Sequence, residues 1–171
     1  MTAVKAPWRT AIIVMGVSGA GKSTVGARLA KALHSIYLEG DSFHPPQNVT
    51  KMHAGTPLTD DDRWPWLDAI AAAIRDAGDG GIVVACSALR RVYRQRIAKG
   101  AGRPVTFVFL DGSLATLRSR IGHRRGHFMP ASLLDSQLAT LEPPSPDEDA
   151  IRVAIEPPLD DVAAAAIAAL G

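Results

Sequence analysis

Eight consecutive residues, Gly16-Val17-Ser18-Gly19-Ala20-Gly21-Lys22-Ser23, satisfy the pattern G-x-x-x-x-G-K-[ST] in full. Chemistry sets the spacing. Glycines let successive backbone N–H groups converge on an anion with no Cβ in the way, and a helix that follows adds its positive end. Lys22 supplies a compact cation for β- and γ-phosphates, and the Ser23 hydroxyl is a ligand for Mg²⁺. Gly16, Ser18 and Ala20 complete the cradle with Gly19 and Gly21. A nucleoside triphosphate site follows. What is done with the phosphate does not, because switches, motors and small-molecule kinases share this loop.

Phosphorylating a metabolite requires three further parts: a group on the acceptor hydroxyl, cations around the transferring phosphoryl, and a cover against water. Asp41 can serve the first. It follows a predicted strand, at the carboxyl edge where open α/β sheets bind ligands, and can accept a proton and help organise Mg²⁺. The same position also suits a turn residue or the N-cap of a following helix. Arg118, Arg120, Arg124 and Arg125, interleaved with His123 and His127 and punctuated by Gly122 and Gly126, read as a hinged lid over about 120–132. A solvated basic face or an RNA-contacting patch competes with that reading. Arg63, Arg90, Arg91 and Arg94 offer guanidinium forks, one or two of which can hold a carboxylate. Cys86 ends an apolar run and reads as packing, Trp64 and Trp66 as core or interface. Five scattered histidines give no zinc-ligand spacing.

The elements that must position these residues are legible in the hydrophobic pattern. Short apolar or β-branched runs at 10–15, 35–38, 81–86, 105–110 and 151–155 predict strands. Helical spacing marks 22–33, 60–77, 90–99, 113–121, 130–141 and 159–170, with three aspartates crowding the start of the second. The proline-containing stretch 44–58 is irregular or carries a short helix. Apolar strands alternating with helices predict a parallel sheet between helical layers. With 171 residues, no internal repeat and no long linker, one domain is expected over 1–171. A hydrophobic share of 47% against 21% charged residues excludes a disordered chain, and a formal charge of +2 is too small to announce a nucleic-acid binder. The single cysteine rules out an intramolecular disulfide and fits a reducing compartment. No apolar run approaches the roughly 20 residues that cross a bilayer. The expectation is a cytoplasmic enzyme with neither nucleic-acid nor membrane partner.

Further strings accompany the loop: Gly40-Asp41, His44-Pro45, Asn48, Lys51-Met52, GTPLTDDDRWPWL at 55–67, CSALRRVYR at 86–94, RRGHF at 124–128, and Leu141-Glu142. With them, the chain resembles the gluconate kinases of the P-loop kinase group, relatives of shikimate and nucleoside monophosphate kinases, over nearly its whole length. The resemblance implies a three-layer α/β/α P-loop kinase fold with a five-stranded parallel sheet, a mobile lid and a substrate-binding region at about 41–67. It implies ATP-dependent transfer to the C6 hydroxyl of D-gluconate, giving 6-phospho-D-gluconate and ADP. Gly19, Gly21, Lys22, Ser23 and Thr24 are then implied on ATP and Mg²⁺, and Asp41 on the acceptor hydroxyl and the metal. Arg63, Arg94 and His127 are implied on gluconate, Arg63 or Arg94 at its carboxylate, with His44, Lys51 and Ser87 as further substrate candidates. Arg120 and Arg124 are implied to clamp phosphate or stack near adenine, Arg124 as a catalytic cation, and a homodimer is implied. The departures are Arg90-Arg91 where paired lysines occur, Trp64 at a variable position, and an extra Gly122. Two readings stay open beside this one: another acceptor on the same fold, or a nucleotide-binding regulator that contacts RNA through 118–127.

Overall fold

Strand β1 (Ala11–Met15) lies at the centre because all five of its side chains are apolar and all are buried. Removing each of Ile12, Ile13 and Val14 from water contributes about 1.5–3 kcal/mol, which requires cover on both faces of the sheet. β3 (Ile82–Ala85) pairs with β1 on one side and β4 (Val105–Asp111) on the other; β2 (Ile36–Glu39) and β5 (Ala150–Ala154) form the edges. Every pairing is parallel, in the order β2-β3-β1-β4-β5, with Ile13 level with Val84 and Phe107. The molecule is described by a computed structural model over residues 11–78, 80–122 and 131–171.

The helices are α1 (Lys22–Ala32), α2 (Pro46–His53), α3 (Asp60–Asp76), α4 (Arg91–Ala101), α5 (Leu114–Gly122), α6 (Ala131–Thr140) and α7 (Leu159–Leu170). α1 packs with α7 and α3 with α4, and these pairs supply the cover the sheet needs. The five predicted strands and six predicted helices are all present, with no end moved by more than two residues. The ambiguous 44–58 stretch resolves into α2 and a loop, preceded by a 3-10 turn at Gly40–Phe43; Pro46 fixes the backbone of the first turn of α2, where no N–H is needed. α3 starts at a capping box: the Asp62 N–H donates to the Thr59 hydroxyl, and the Thr59 N–H donates to the Asp62 carboxylate. The centre of the predicted lid, with His123, Arg124, Arg125, His127 and Pro130, lies outside the described residues. Among the described residues no helix is long and apolar enough to cross a membrane.

Candidate active site

The turn from β1 into α1 is shaped by its backbone. Gly19 has φ +86°, and a Cβ there would meet the Leu117 carbonyl oxygen at 2.8 Å, so only glycine fits. Gly21 is the left-handed N-cap of α1, whose first turn carries no acidic residue to offset its positive end. Lys22 Nζ donates to the Val17 carbonyl at 3.0 Å, folding the side chain back along the loop. The Gly16 N–H donates to the Ser87 carbonyl at 3.3 Å, which ties the loop to the segment leaving β3. The Ser18 N–H donates to Gln137 Oε1 of α6 at 2.7 Å. Thr24 is half-buried in the first turn of α1. Arg120 reaches the same loop from α5: its guanidinium donates to the Ala20 carbonyl at 3.5 Å, to Pro157 at 2.9 Å and to Ile155. Its guanidinium is thus engaged by main-chain carbonyls beside the phosphate loop.

Ser23 Oγ donates to Glu39 Oε2 at 2.7 Å, and the Tyr37 hydroxyl donates to the same oxygen at 2.7 Å. Burial, and then the bond to Glu39, push the Tyr37 phenol well above its usual range, so it stays a donor. Sequence reasoning missed Glu39; the available signal was an acid two residues before Asp41 at the end of a strand. The Ser23 hydroxyl beside a carboxylate is the oxygen set a small hard cation takes. Among the described residues no three or more His, Cys, Asp or Glu side chains are grouped to hold a metal. A Mg²⁺ here would draw its other ligands from phosphate and water, its usual arrangement beside nucleotides.

Across the carboxyl edge of the sheet, Lys22, Asp41, His44, Arg63, Trp66 and Ser87 line one open cleft, with Gln137 at its α6 wall. Asp41 stands in the 3-10 turn and caps no helix: Glu39 is the N-cap of that turn and Pro45 of α2, which removes the capping alternative. Gly40 makes the turn possible, because a Cβ would run into the Ala85 carbonyl. Trp66 Nε1 donates to the Gly40 carbonyl at 2.8 Å, anchoring the turn to α3.

Arg63 is held from behind. It donates to the Tyr93 hydroxyl at 2.9 Å and lies 3.6 Å from Asp60, while Tyr93 donates to Asp60 in a short hydrogen bond and Arg90 donates to Asp60 at 2.7 Å. The Tyr93 bond first, with Arg90 and Arg63 adding, keeps the Asp60 carboxyl below its usual range. Tyr93 and Asp60 thus set the direction of Arg63. No sequence spacing announced that link, because it joins α3 to α4 through space.

The structure does not bring Arg94 to the cleft. Its side chain, 2% exposed, pairs with Glu148 at 2.7 Å and donates to the Ala88 carbonyl at 2.8 Å and the Glu142 carbonyl at 3.0 Å. Ala88 is non-glycine backbone at φ +44°, so Arg94 braces a strained turn next to Ser87. Removing one partner of a buried ion pair costs about 3–5 kcal/mol. Arg94→Ala therefore lowers the unfolding temperature by about 10 °C, while the KM for the acceptor, measured well below that temperature, stays within about twofold. A large rise in that KM without loss of stability would return Arg94 to the site. Lys51 also turns away: it pairs with Asp62 at 2.7 Å, and with the Thr59 bonds this holds the Asp62 carboxyl down at about 2. Cys86 is fully buried and burial pushes its thiol up to about 12, so it is no nucleophile at neutral pH.

Comparison with known proteins gives one consistent picture. The AAA domain family matches residues 12–144. The gluconokinase of Gluconobacter oxydans is 51% identical over 148 residues, covering 85% of this chain and 82% of that protein. The thermoresistant gluconokinase of Escherichia coli is 41% identical over 159 residues, covering 91% and 90%. Among solved structures, a gluconokinase from Sinorhizobium meliloti superposes with a TM-score of 0.87 at 48% identity over 95% of this chain and 92% of that one. The APS kinase of Mycobacterium tuberculosis, at 23% identity over 96% and 98% and a TM-score of 0.66, shares the fold.

Proposed function

This chain belongs to the gluconokinase family, and we infer that it transfers the γ-phosphate of ATP to the C6 hydroxyl of D-gluconate, releasing 6-phospho-D-gluconate and ADP. One observation carries the reading: Lys22 of the phosphate loop shares a single cleft with Asp41, His44 and Arg63.

In-line phosphoryl transfer leaves the protein little covalent work, so positioning and charge dominate. Lys22 and the loop amides of Gly19 and Gly21 hold the β- and γ-phosphates. Asp41 orients the C6 hydroxyl and takes its proton as that oxygen bonds to the γ-phosphorus and the bond to the bridging oxygen of ADP breaks. Arg63 is assigned the gluconate carboxylate, because it lines the cleft with its direction set by Tyr93 and Asp60, whereas Arg94 is engaged elsewhere. His44 and Ser87 are assigned to gluconate hydroxyls. Ser23, Glu39 and Asp41 fit a Mg²⁺ bound with the nucleotide, which when present neutralises phosphate charge. Arg120 and, outside the described residues, Arg124 and His127 are assigned to close over phosphate and acceptor. Cytoplasmic residence and a homodimer belong to the same reading, the second open to sedimentation.

Arg63→Ala raises the KM for gluconate about 10–100-fold, the value of a charged hydrogen bond to a carboxylate, with the KM for ATP unchanged. Equal effects on both substrates would place Arg63 outside the acceptor subsite. The position of transfer is read from the product of ¹³C-labelled gluconate. Phosphorus coupling at C6 and its neighbour supports the assignment, and coupling elsewhere overturns the orientation by Asp41.

A further inference from the structure

Asn48 is completely buried in α2, four residues after His44. Its side-chain amide has one orientation open to it. Nδ2 lies 2.8 Å from the Asp62 main-chain carbonyl, and a carbonyl oxygen only accepts, so the nitrogen must be on that side. The same Nδ2 lies 3.1 Å from His44 Nδ1. An amide nitrogen only donates. Nδ1 therefore presents a lone pair, and the proton of the neutral ring sits on Nε2. Turning the amide over would set Oδ1 against the Asp62 carbonyl, acceptor against acceptor. Oδ1 itself has no hydrogen-bond partner among the described residues. A buried acceptor left unpaired costs about 1–3 kcal/mol, which an apolar side chain of similar size would avoid. Packing alone gives no reason for an amide here; the two bonds of Nδ2 do.

The rest of the ring is fixed as well. His44 stacks on Trp66 with centroids 4.1 Å apart and planes at 17°. Its Nδ1 edge is taken by Asn48, and Nε2 is the polar atom that remains to a ring lining the cleft. The groups around it are Asp41 on the 3-10 turn, Arg63 on α3 and Lys22 from the phosphate loop, with the paired Lys51 and Asp62 beyond Asn48. Burial brings the His44 pKa down to about 4, with Asp41 opposing and Arg63 reinforcing. The Asn48 donor acts in the same direction, since a bond to the Nδ1 lone pair favours the neutral ring.

We propose that Asn48 is a positioning residue that fixes His44 as the neutral Nε2–H tautomer, so that His44 meets the acceptor as a hydrogen-bond donor and not as a cation or a base. The consequence falls on Asp41. A cationic imidazole would pair with that carboxylate and compete with the acceptor hydroxyl for it. A neutral donor holds an acceptor hydroxyl and leaves the Asp41 carboxylate to it. The identity of the acceptor rests on the gluconate reading; the tautomer does not.

Long-range ¹H–¹⁵N correlation spectra of the uniformly labelled chain read the tautomer directly, with His44→Gln assigning the signal among five histidines. The expected result is an Nε2–H ring that stays neutral down to about pH 5. In Asn48→Ala the ring shows mixed tautomers and a midpoint raised by at most about one unit, the worth of the lost bond, because burial still holds it down. There kcat/KM for gluconate falls about 10-fold, the worth of one hydrogen bond, its acid limb moves up with the midpoint, and the KM for ATP holds. A wild-type ring protonated on Nδ1, a wild-type midpoint near 6.5, or an Asn48→Ala variant with unchanged tautomer and pH profile overturns the proposal. Should Asn48→Ala not fold, the wild-type spectrum decides alone. An Nε2–H ring in a protein inert toward gluconate supports the tautomer and removes the gluconate reading instead.

Discussion

Lys22→Ala loses turnover by roughly 10³-fold or more, with the folded structure retained. Its charge is the one side-chain cation the phosphate loop itself brings to the transferring phosphoryl, in a site where the other donors are backbone amides fixed by the left-handed Gly19 and Gly21. Lys22→Arg restores little, because a planar fork on a longer stem does not fit where a compact ammonium lies 3.0 Å from the Val17 carbonyl. Single-turnover kinetics with saturating ATP separate weakened nucleotide binding from the lost chemical step, and circular dichroism verifies the fold. Near-normal turnover would mean that phosphate transfer does not pass through this loop.

Asp41→Asn reduces kcat by about 10²–10⁴-fold while the KM for gluconate changes little. The amide keeps the shape and a hydrogen bond to the hydroxyl but cannot take its proton. Stability is the control. Asp41 caps neither the 3-10 turn nor α2, and its side chain is exposed to the cleft, so the variant unfolds within a few degrees of the wild type. Loss of stability with kcat preserved would make Asp41 a turn residue and leave the acceptor proton without a recipient.

What was legible in the chain was what is local in it. The phosphate loop needs only eight consecutive residues, and the strand and helix flanking it announce themselves by burial pattern and period. Asp41 was legible because the carboxyl end of a strand is a place, not merely a residue type. The Ser23–Glu39 pair was not, since it joins α1 to β2 and depends on which strand becomes an edge. The Arg63–Tyr93–Asp60 link and the Asn48–His44 contact were hidden for a related reason: hydrogen-bond partners are chosen by three-dimensional packing, and a residue's type records only what it can donate or accept. Arg94 shows the converse. An arginine in a distinctive string suggested a ligand carboxylate, and the carboxylate it meets is Glu148 of its own chain, 54 residues away. Sequence gives the charge of such a side chain; the fold decides whether any of that charge is left for a substrate.

The most direct test of the central claim is acceptor-dependent ADP release in the presence of Mg-ATP, compared across gluconate, shikimate, glucose, AMP and related sugar acids. Rapid release with gluconate and background rates with the others are expected. Turnover with another acceptor and none with gluconate would contradict the claim, keeping the phosphate loop and Asp41 in their roles and removing Arg63 and His44 from theirs.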